Sequence, residues 1–176
     1  VPAMKKAQAI VTDSGGMTES SEDVWGSRVP YLRAVRDTPL GTMPWTKTMS
    51  KADLEKKLAA KGHNIGRLRA IELSPLAVGR AAKDRTASGR VKAMTVTGTK
   101  GTATLSGNAW RSLLGLKSTL FSAKLTKDTV TFTGFGAGHG LGISQWGAKR
   151  LAETGKSYAD ILHHYYTGVT LQRNSY

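Results

Sequence analysis

The segment from Gly134 to Gly142 carries a glycine at every second position and runs directly into a helix-like sequence at 144–153. In an extended chain alternate residues point to the same side, so these glycines predict a backbone strip without side chains on one face. Such a strip lets another backbone or a flat ligand approach closely. A mobile glycine-rich loop is the alternative interpretation. The strip is favoured because a strand-like sequence leads into it and a helix-like sequence follows.

The spacing of these glycines excludes three familiar motifs. No register gives G-x-G-x-x-G and no G-K-[ST] follows, which excludes a dinucleotide fingerprint and a P-loop. Ser144 does not lie in a G-x-S-x-G motif, because Trp146 occupies the second glycine position. Ser144 and Gln145 instead lie near the predicted start of a helix, where unpaired backbone N–H groups can bind a polar or anionic group.

The charge balance indicates a positive potential around the molecule. Lysine and arginine number 26 against 12 acidic residues, a net charge of +14, which attracts polyanions such as nucleic acid, anionic lipid or an acidic cell wall. The basic residues are scattered from Lys5 to Arg173, and this scatter favours a solvated folded surface over a disordered arm. We expect neither a membrane span nor a signal peptide in these 176 residues, and the absence of cysteine excludes disulfides.

The local patterns predict one α+β domain with antiparallel strands or hairpins, several short helices and two helices at the C-terminus. Helices are predicted at 1–10, 50–60, 106–116, 144–153 and 157–166, and strands at 67–74, 90–98, 101–106 and 129–136. Ser50 and Ser157 are the expected helix caps, with Asp53 and Asp160 at the third helical position. Residues 11–26 read as turns, and the prolines that follow predict an irregular chain through Trp45.

Three blocks of sequence carry a family resemblance. Residues 134–171 read GFGAGHGLGISQWGAKRLAETGKSYADILHHYYTGVTL, residues 13–35 read DSGGMTESSEDVWGSRVPYLRAV, and residues 106–121 read SGNAWRSLLGLKSTLF. The first block resembles the C-terminal signature of the SpoIID family, the stage II sporulation protein D and LytB-like amidase-enhancer domains. The second is similar to that family's S-x-G-G-x-T-E segment, and the third to the helix before its final strands. The blocks stand in the expected order and cover most of the chain.

The resemblance implies a bacterial protein that remodels peptidoglycan outside the cytoplasm, in the cell wall or periplasm, and it is compatible with a membrane anchor. Lytic transglycosylases of this family cleave the bond between N-acetylmuramic acid and N-acetylglucosamine. A glutamic acid protonates the glycosidic oxygen and the muramic 6-hydroxyl closes an anhydro ring, so the acid needs a raised pKa. The implied partners are glycan strands and an N-acetylmuramoyl-L-alanine amidase. We expect no cofactor, no nucleic acid and a monomeric protein.

The chain departs from the family at its N-terminal side. The family's catalytic glutamate lies just before a segment like VPAMKKAQAI, whereas this chain begins at Val1, so the catalytic residue is left unassigned. We expect the single domain of residues 1–176 to lack the family's N-terminal part and a segment near residues 10–11. A non-catalytic amidase enhancer or a glycan-binding module is the alternative function. A nucleic-acid binder is the third, although no RNP-like or helix-turn-helix pattern supports it.

The candidate substrate-binding residues come from the family-like blocks: Ser14, Glu19, Trp25, His139, Ser144 and Gln145. Glu19 is interpreted as a structural hydrogen-bond acceptor or arginine partner, as a substrate contact, or as a substitute general acid. His139 either lines a cleft or is a buried structural histidine. Ser144 and Gln145 either contact sugar or satisfy helix N–H groups.

The aromatic and histidine residues are divided by their setting. Trp25 and Trp45 lie in loop-like sequence and are candidates for stacking on sugars, while Trp110 and Trp146 are predicted to pack in the core. The adjacent His163 and His164 point about 100° apart on a helix, so they do not form the i, i+4 clamp of a zinc protease. We therefore expect no metal site.

Overall fold

Two three-stranded antiparallel sheets form the framework of the computed structural model, which describes residues 9–37 and 39–172. The strands in these ranges are β1 Ile10–Val11, β2 Trp45–Ser50, β3 Leu68–Glu72, β4 Ala93–Gly98, β5 Thr102–Ser106, β6 Phe121–Leu125, β7 Thr129–Gly134 and β8 Ile143–Ser144. The helices are α1 Ser21–Trp25, α2 Lys51–Ala60, α3 Gly107–Leu114, α4 Gln145–Glu153 and α5 Tyr158–Tyr165. The predicted α+β class with two C-terminal helices is confirmed.

The sheets have the orders β2-β7-β6 and β3-β4-β5, and β1 pairs with β8 in parallel. The predicted hairpin between β4 and β5 is confirmed, with Ala93 opposite Ser106 and Thr97 opposite Thr102. One apolar cluster covers both sheets, and its buried members include Met94, Phe121 and Phe132. None of the helices in the described ranges combines the length and the apolar character that crossing a bilayer requires.

The helices begin where the sequence provides a capping side chain. Ser50 Oγ accepts the Asp53 N–H at 3.0 Å, and Leu54 and Leu58 of α2 are fully buried. At α5 the Ser157 hydroxyl and the Asp160 carboxylate form the predicted capping box. Serine or aspartate oxygens at these positions satisfy N–H groups that the helix itself leaves unpaired, so these boundaries were readable from the sequence.

Helix α1 and strands β2 and β6 were not predicted. Strand β2 begins at Trp45, where an irregular chain was expected to end, because β7 pairs with it along its whole length, from Trp45 opposite Gly134 to Ser50 opposite Thr129. The predicted helix at 1–10 lies outside the described residues up to residue 8, and Ile10 begins β1 instead. The expected omission near residues 10–11 stays a prediction.

The glycine-rich segment is not the extended strip that its alternation predicted. Gly134 ends β7, and the four alternate glycines after it have φ angles of +72°, +107°, +86° and +78° (Gly136, Gly138, Gly140 and Gly142). These are left-handed conformations, which residues with a Cβ adopt at a cost. The segment is also fixed in place, because Asp13 bridges Ala137 and Glu19 bridges Leu141.

The close approach that glycine permits is made by the backbone of residues 9–15. A Cβ on Gly142 would lie 2.1 Å from the Ala9 carbonyl oxygen, and one on Gly136 would lie 2.7 Å from the Asp13 carbonyl oxygen. Neither neighbour is a flexible side chain, so neither yields cheaply. The glycines therefore allow two chain segments that are distant in sequence to pack backbone against backbone.

Two glycine substitutions separate conformational strain from backbone contact. Gly142 and Gly155 both have positive φ, but an added Cβ on Gly155 meets nothing within 4 Å. We expect Gly155→Ala to lower the free energy of unfolding by about 1 kcal/mol, and Gly142→Ala to lower it by roughly 1–3 kcal/mol more. Urea unfolding of both variants measures the difference. Equal losses would show that the contact with residue 9 carries no energy.

Candidate functional site

A pocket of about 250 Å³ opens where α1, residues 86–92, the start of α3 and the glycine-rich segment meet. It is lined by polar and charged side chains with few apolar ones: Glu19, Asp23, Val24, Thr86, Arg90, Val91, Lys92, Ser106, Gly107, Asn108, Thr119 and His139. Of the six residues that the sequence analysis proposed as substrate contacts, the structure brings Glu19 and His139 together here. The glycine-rich segment thus contributes one wall of the pocket.

Glu19 is a carboxyl group at the buried end of this pocket, with 1% of its surface exposed. Its Oε2 accepts hydrogen bonds from Thr86 Oγ1 at 2.6 Å and Ser88 Oγ at 2.8 Å. Burial raises the pKa of Glu19, and this effect outweighs the hydroxyl donors and the nearby Arg90, which act in the opposite direction. The environment therefore favours the protonated carboxyl more than water does.

Arg90 is a buried cation that lines the same pocket. Its guanidinium lies flat against the glycine-rich segment. A Cβ on Gly140 would lie 2.2 Å from Arg90 Nε, so a side chain at this position would displace the guanidinium. Nη2 donates to the Ser14 carbonyl oxygen at 2.6 Å, while Nε and Nη1 find no partner among the described residues. Burial lowers the pKa of Arg90 to about 10, so the group is still a cation at neutral pH.

His139 has its tautomer set by the backbone. Its Nδ1 accepts the Leu141 N–H at 2.9 Å, so in the neutral ring the proton resides on Nε2. Burial lowers the pKa of His139, and the charges of Arg111 and Arg90 lower it further. At neutral pH His139 is thus an uncharged side chain whose Nε2–H is its remaining donor.

The start of α3 supplies a third polar wall. Ser106 caps this helix by accepting the Ala109 N–H at 3.1 Å, and Gly107 approaches Val91 so closely that a Cβ would lie 1.9 Å from its carbonyl oxygen. Asn108, the second residue of the helix, lines the pocket. A helix N-terminus carries partial positive charge, so the pocket combines it with Arg90 and Lys92 against the acids Glu19 and Asp23. This arrangement fits a ligand rich in hydroxyl, carbonyl or carboxylate oxygens.

Ser14 and Ser144 are buried beside the pocket and bond to the protein itself. Ser144 Oγ accepts the N–H groups of Gly147 at 3.1 Å and Ser14 at 3.3 Å, which caps α4. Ser14 Oγ donates to the buried Asp37 carboxylate at 2.5 Å. Gln145 is exposed on the first turn of α4 and does not line the pocket. These three side chains lie outside the cavity that holds Glu19 and His139.

One tryptophan prediction is confirmed and two are wrong, while the sugar-stacking role of Trp25 stays a prediction. Trp110 is buried and donates its indole N–H to the Met94 carbonyl oxygen, as predicted for a core residue. Trp45 was proposed as a sugar platform, but this was wrong, because pairing of β2 with β7 buries its ring beside Phe121. Trp146 was predicted in the core, which was also wrong.

Trp25 and Trp146 are the exposed members of the group. Trp146 is 46% exposed because it lies on the solvent side of the first turn of α4, where Lys149 Nζ lies 5.7 Å from the centre of its ring. Trp25 ends α1, is 47% exposed and directly follows two residues that line the pocket. It is therefore the tryptophan beside the pocket that remains accessible to a ligand.

The acidic and histidine clusters of the sequence separate in three dimensions. Glu22 turns away from the pocket and pairs with Arg33, which lowers the pKa of Glu22 to about 2. His164 Nε2 lies 3.0 Å from the Arg36 carbonyl oxygen, while Asp160 caps α5. Within residues 9–37 and 39–172, no three histidine or acidic side chains gather as metal ligands do.

Sequence reasoning missed Thr86, Ser88, Arg90 and Asn108. The hydroxyls that bond Glu19 lie 67 and 69 residues further along the chain, and no local pattern connects them to that acid. In the structure Gly89 has a positive φ, a conformation that glycine adopts readily in sharp turns. Thr86 and Ser88 lie just before this glycine.

Comparisons with known proteins identify relatives of this chain. A family model described as a domain of unknown function, DUF8618, matches residues 41–142. Stage II sporulation protein D of Bacillus amyloliquefaciens is 35% identical over 175 residues, covering 93% of this chain and 44% of that protein. The amidase enhancer of Bacillus subtilis (strain 168) is 32% identical over 207 residues, covering 93% and 29%. The chain thus spans less than half the length of these relatives.

Glu19 and Glu22 are expected to have pKa values shifted in opposite directions. The Glu19 carboxyl should titrate above the ordinary value of 4.5 because it is buried, whereas Glu22 should titrate near 2 because of Arg33. Carbon-13 NMR of the glutamate carboxyls as a function of pH measures both midpoints. A Glu19 midpoint below 4.5 would mean that the hydroxyl donors and Arg90 outweigh burial.

The same shifts determine how stability depends on pH. Protonated Glu19 stabilises the fold below pH 4.5, and this contribution is lost as pH rises through the raised pKa. The stability of Glu19→Gln relative to the unchanged protein should therefore improve as pH rises from 4 to 8. Glu22→Gln is the control of opposite sign, because the ionised Glu22 contributes above pH 4.5 and its contribution is lost as pH falls toward 2.

Proposed function

Because this chain belongs to the DUF8618 family and to the SpoIID/LytB family, we propose that it is a peptidoglycan lytic transglycosylase. It acts outside the cytoplasm on the glycan strands of the cell wall. The observation that carries the proposal is the pocket that combines the buried Glu19 carboxyl, the neutral His139 and the start of α3. Its size and polar lining suit one aminosugar with its acetamido and hydroxyl groups.

In this proposal Glu19 and His139 hold the sugar through hydrogen bonds. Burial favours the uncharged carboxyl of Glu19, and the His139 ring offers its Nε2–H. Both groups bond to the hydroxyl or carbonyl groups of the sugar. Asn108 adds an amide at the helix start, where partial positive charge attracts carbonyl oxygens.

The reaction needs one carboxyl group that acts first as acid and then as base. The acid protonates the glycosidic oxygen, the bond from muramic C1 to that oxygen breaks, and the 6-hydroxyl oxygen of the same sugar bonds to C1. The 6-hydroxyl proton returns to the carboxylate, so no water is consumed. We give Glu19 a binding role and leave the general acid of this step unassigned.

A non-catalytic amidase enhancer is the second candidate. The relative of that name from Bacillus subtilis (strain 168) covers 93% of this chain at 32% identity. In this case the same pocket holds the glycan strand while a separate amidase removes peptides from it. The two functions share a ligand and differ in whether the strand is cut.

A cleavage assay distinguishes the two functions. We expect the purified protein to convert amidase-treated glycan strands into fragments with 1,6-anhydromuramoyl ends, detected by mass spectrometry. A boiled sample is the control for spontaneous cleavage. Treated strands that stay intact, together with faster release of peptides by an added amidase from peptidoglycan that still carries them, would establish the enhancer function instead.

Pocket substitutions test whether these residues hold the glycan. His139→Asn retains an acceptor that can take the Leu141 N–H in an Asx turn but removes the Nε2 donor, and Asn108→Ala changes an exposed side chain. Each should weaken glycan binding roughly tenfold, the effect of one unpaired hydrogen bond. Binding to fluorescent glycan strands measures it.

Gln145→Ala is the matched control, because Gln145 also begins a helix but lies outside the pocket. It should bind glycan within about twofold of the unchanged protein, as expected for a surface change. The pocket assignment would be wrong if Gln145→Ala weakened binding while His139→Asn and Asn108→Ala did not.

A further inference from the structure

A second cavity, of about 510 Å³, lies where the start of α2, strand β3 and the β6–β7 turn meet. We call it the basic cleft. It shares no lining residue with the Glu19 pocket, and its lining residues are Ser50, Lys51, Ala52, Glu55, Arg67, Leu68, Arg69, Lys127 and Asp128. Its volume is in the range of sites that hold a ligand of drug size.

Four cations from three elements converge on this cleft. Arg67 and Arg69 both line the cleft on either side of the buried Leu68, at a point where the pairing of β3 with β4 shifts register between Leu68 and Ala70. Lys51 begins α2 and Lys127 lies in the turn after β6. No carboxylate within residues 9–37 and 39–172 forms an ion pair with any of the four. Because the lining sets these four cations against two acids, Glu55 and Asp128, the cleft keeps a net positive charge.

The walls of the cleft are fixed to one another before any ligand arrives. Glu55 Oε1 accepts the Leu68 N–H at 2.7 Å, which connects α2 to the edge of β3. The Lys51 N–H donates to the Asp128 carbonyl oxygen at 3.0 Å, which connects α2 to the turn. One of the two acids in the lining is thus used to hold the backbone. A rigid cleft of this kind has less conformational entropy to lose on binding.

We propose that the basic cleft binds a phosphate-bearing polymer of the cell wall, a polyglycerol phosphate chain, while the Glu19 pocket binds the glycan strand. Repeating phosphates match several separate cations better than a single anion does. Single-stranded nucleic acid is disfavoured, because such sites stack bases on aromatic rings and none of the described residues that line the cleft is aromatic. The choice of a wall polymer rests on the proposed function, and the charge of the cleft does not.

A matched pair of double variants tests the proposal. Arg67→Gln with Lys127→Gln removes two cleft cations, and Arg80→Gln with Lys83→Gln removes the same residue types at exposed positions outside the cleft. Fluorescently labelled polyglycerol phosphate, titrated at several salt concentrations, is the probe. The cleft variant should lose roughly tenfold in affinity and about 1.4 in the slope of log affinity against log salt, because each phosphate contact contributes about 0.7. The control variant should change affinity less than about twofold.

Each other outcome overturns the proposal. Equal losses in both variants would mean that the net charge attracts the polymer with no defined site. Inorganic phosphate that competes as well as the polymer would indicate a site for a single free anion. A single-stranded oligonucleotide of equal charge that binds more tightly, through the same two cations, would make the cleft a nucleic-acid site.

The glycan assay keeps this test separate from the proposed function. The cleft variant should bind soluble glycan strands as the unchanged protein does, and His139→Asn should bind polyglycerol phosphate as the unchanged protein does. Loss of glycan binding in the cleft variant would place both polymers on one surface. An inactive protein that still binds polyglycerol phosphate through the cleft would refute the transglycosylase alone.

Discussion

The contact between the glycine-rich segment and the backbone of residues 9–19 positions the rest of the site. Gly140 accepts the Glu19 N–H at 2.8 Å, and Asp13 exchanges backbone hydrogen bonds with Ala137 in both directions. Arg90 can lie flat on Gly140 because no side chain stands there. A Cβ at these glycines would separate the two segments and change where Glu19 and Arg90 lie. The polar pocket thus depends on the absence of side chains at a few backbone contacts.

The pocket also contains a buried charge that is unfavourable for folding, the guanidinium of Arg90. Arg90 is 2% exposed and leaves two of its N–H donor groups without partners among the described residues. Burying a cation costs free energy that a nearby carboxyl recovers only in part, and the raised pKa of Glu19 shows that its own ionisation is disfavoured there. Groups of this kind are costly for folding and cluster at binding and catalytic sites.

The predictable part of this structure is the part encoded by neighbouring residues. Helices α2 and α5 were readable because Ser50 and Ser157 cap them, and the β4–β5 hairpin was readable because both strands lie close in sequence. Strand β2 was not, since it is defined by pairing with β7, more than seventy residues away. The alternation of glycines located a special backbone but could not give the sign of φ. Only part of the site could be predicted from the sequence, because Glu19 and His139 were identified and Arg90 was not.

The net charge of +14 belongs to the whole molecule. The balance of cations and acids differs between the two cavities. In the Glu19 pocket, cations and acids face each other, so selectivity there comes from hydrogen-bond geometry. In the basic cleft, four cations have no carboxylate partner within the described ranges, so attraction there is electrostatic and screened by salt. The two surfaces therefore differ in how strongly salt should weaken the binding of a ligand. The same excess of lysine and arginine therefore leaves a net positive charge in the basic cleft and is balanced by acids in the Glu19 pocket.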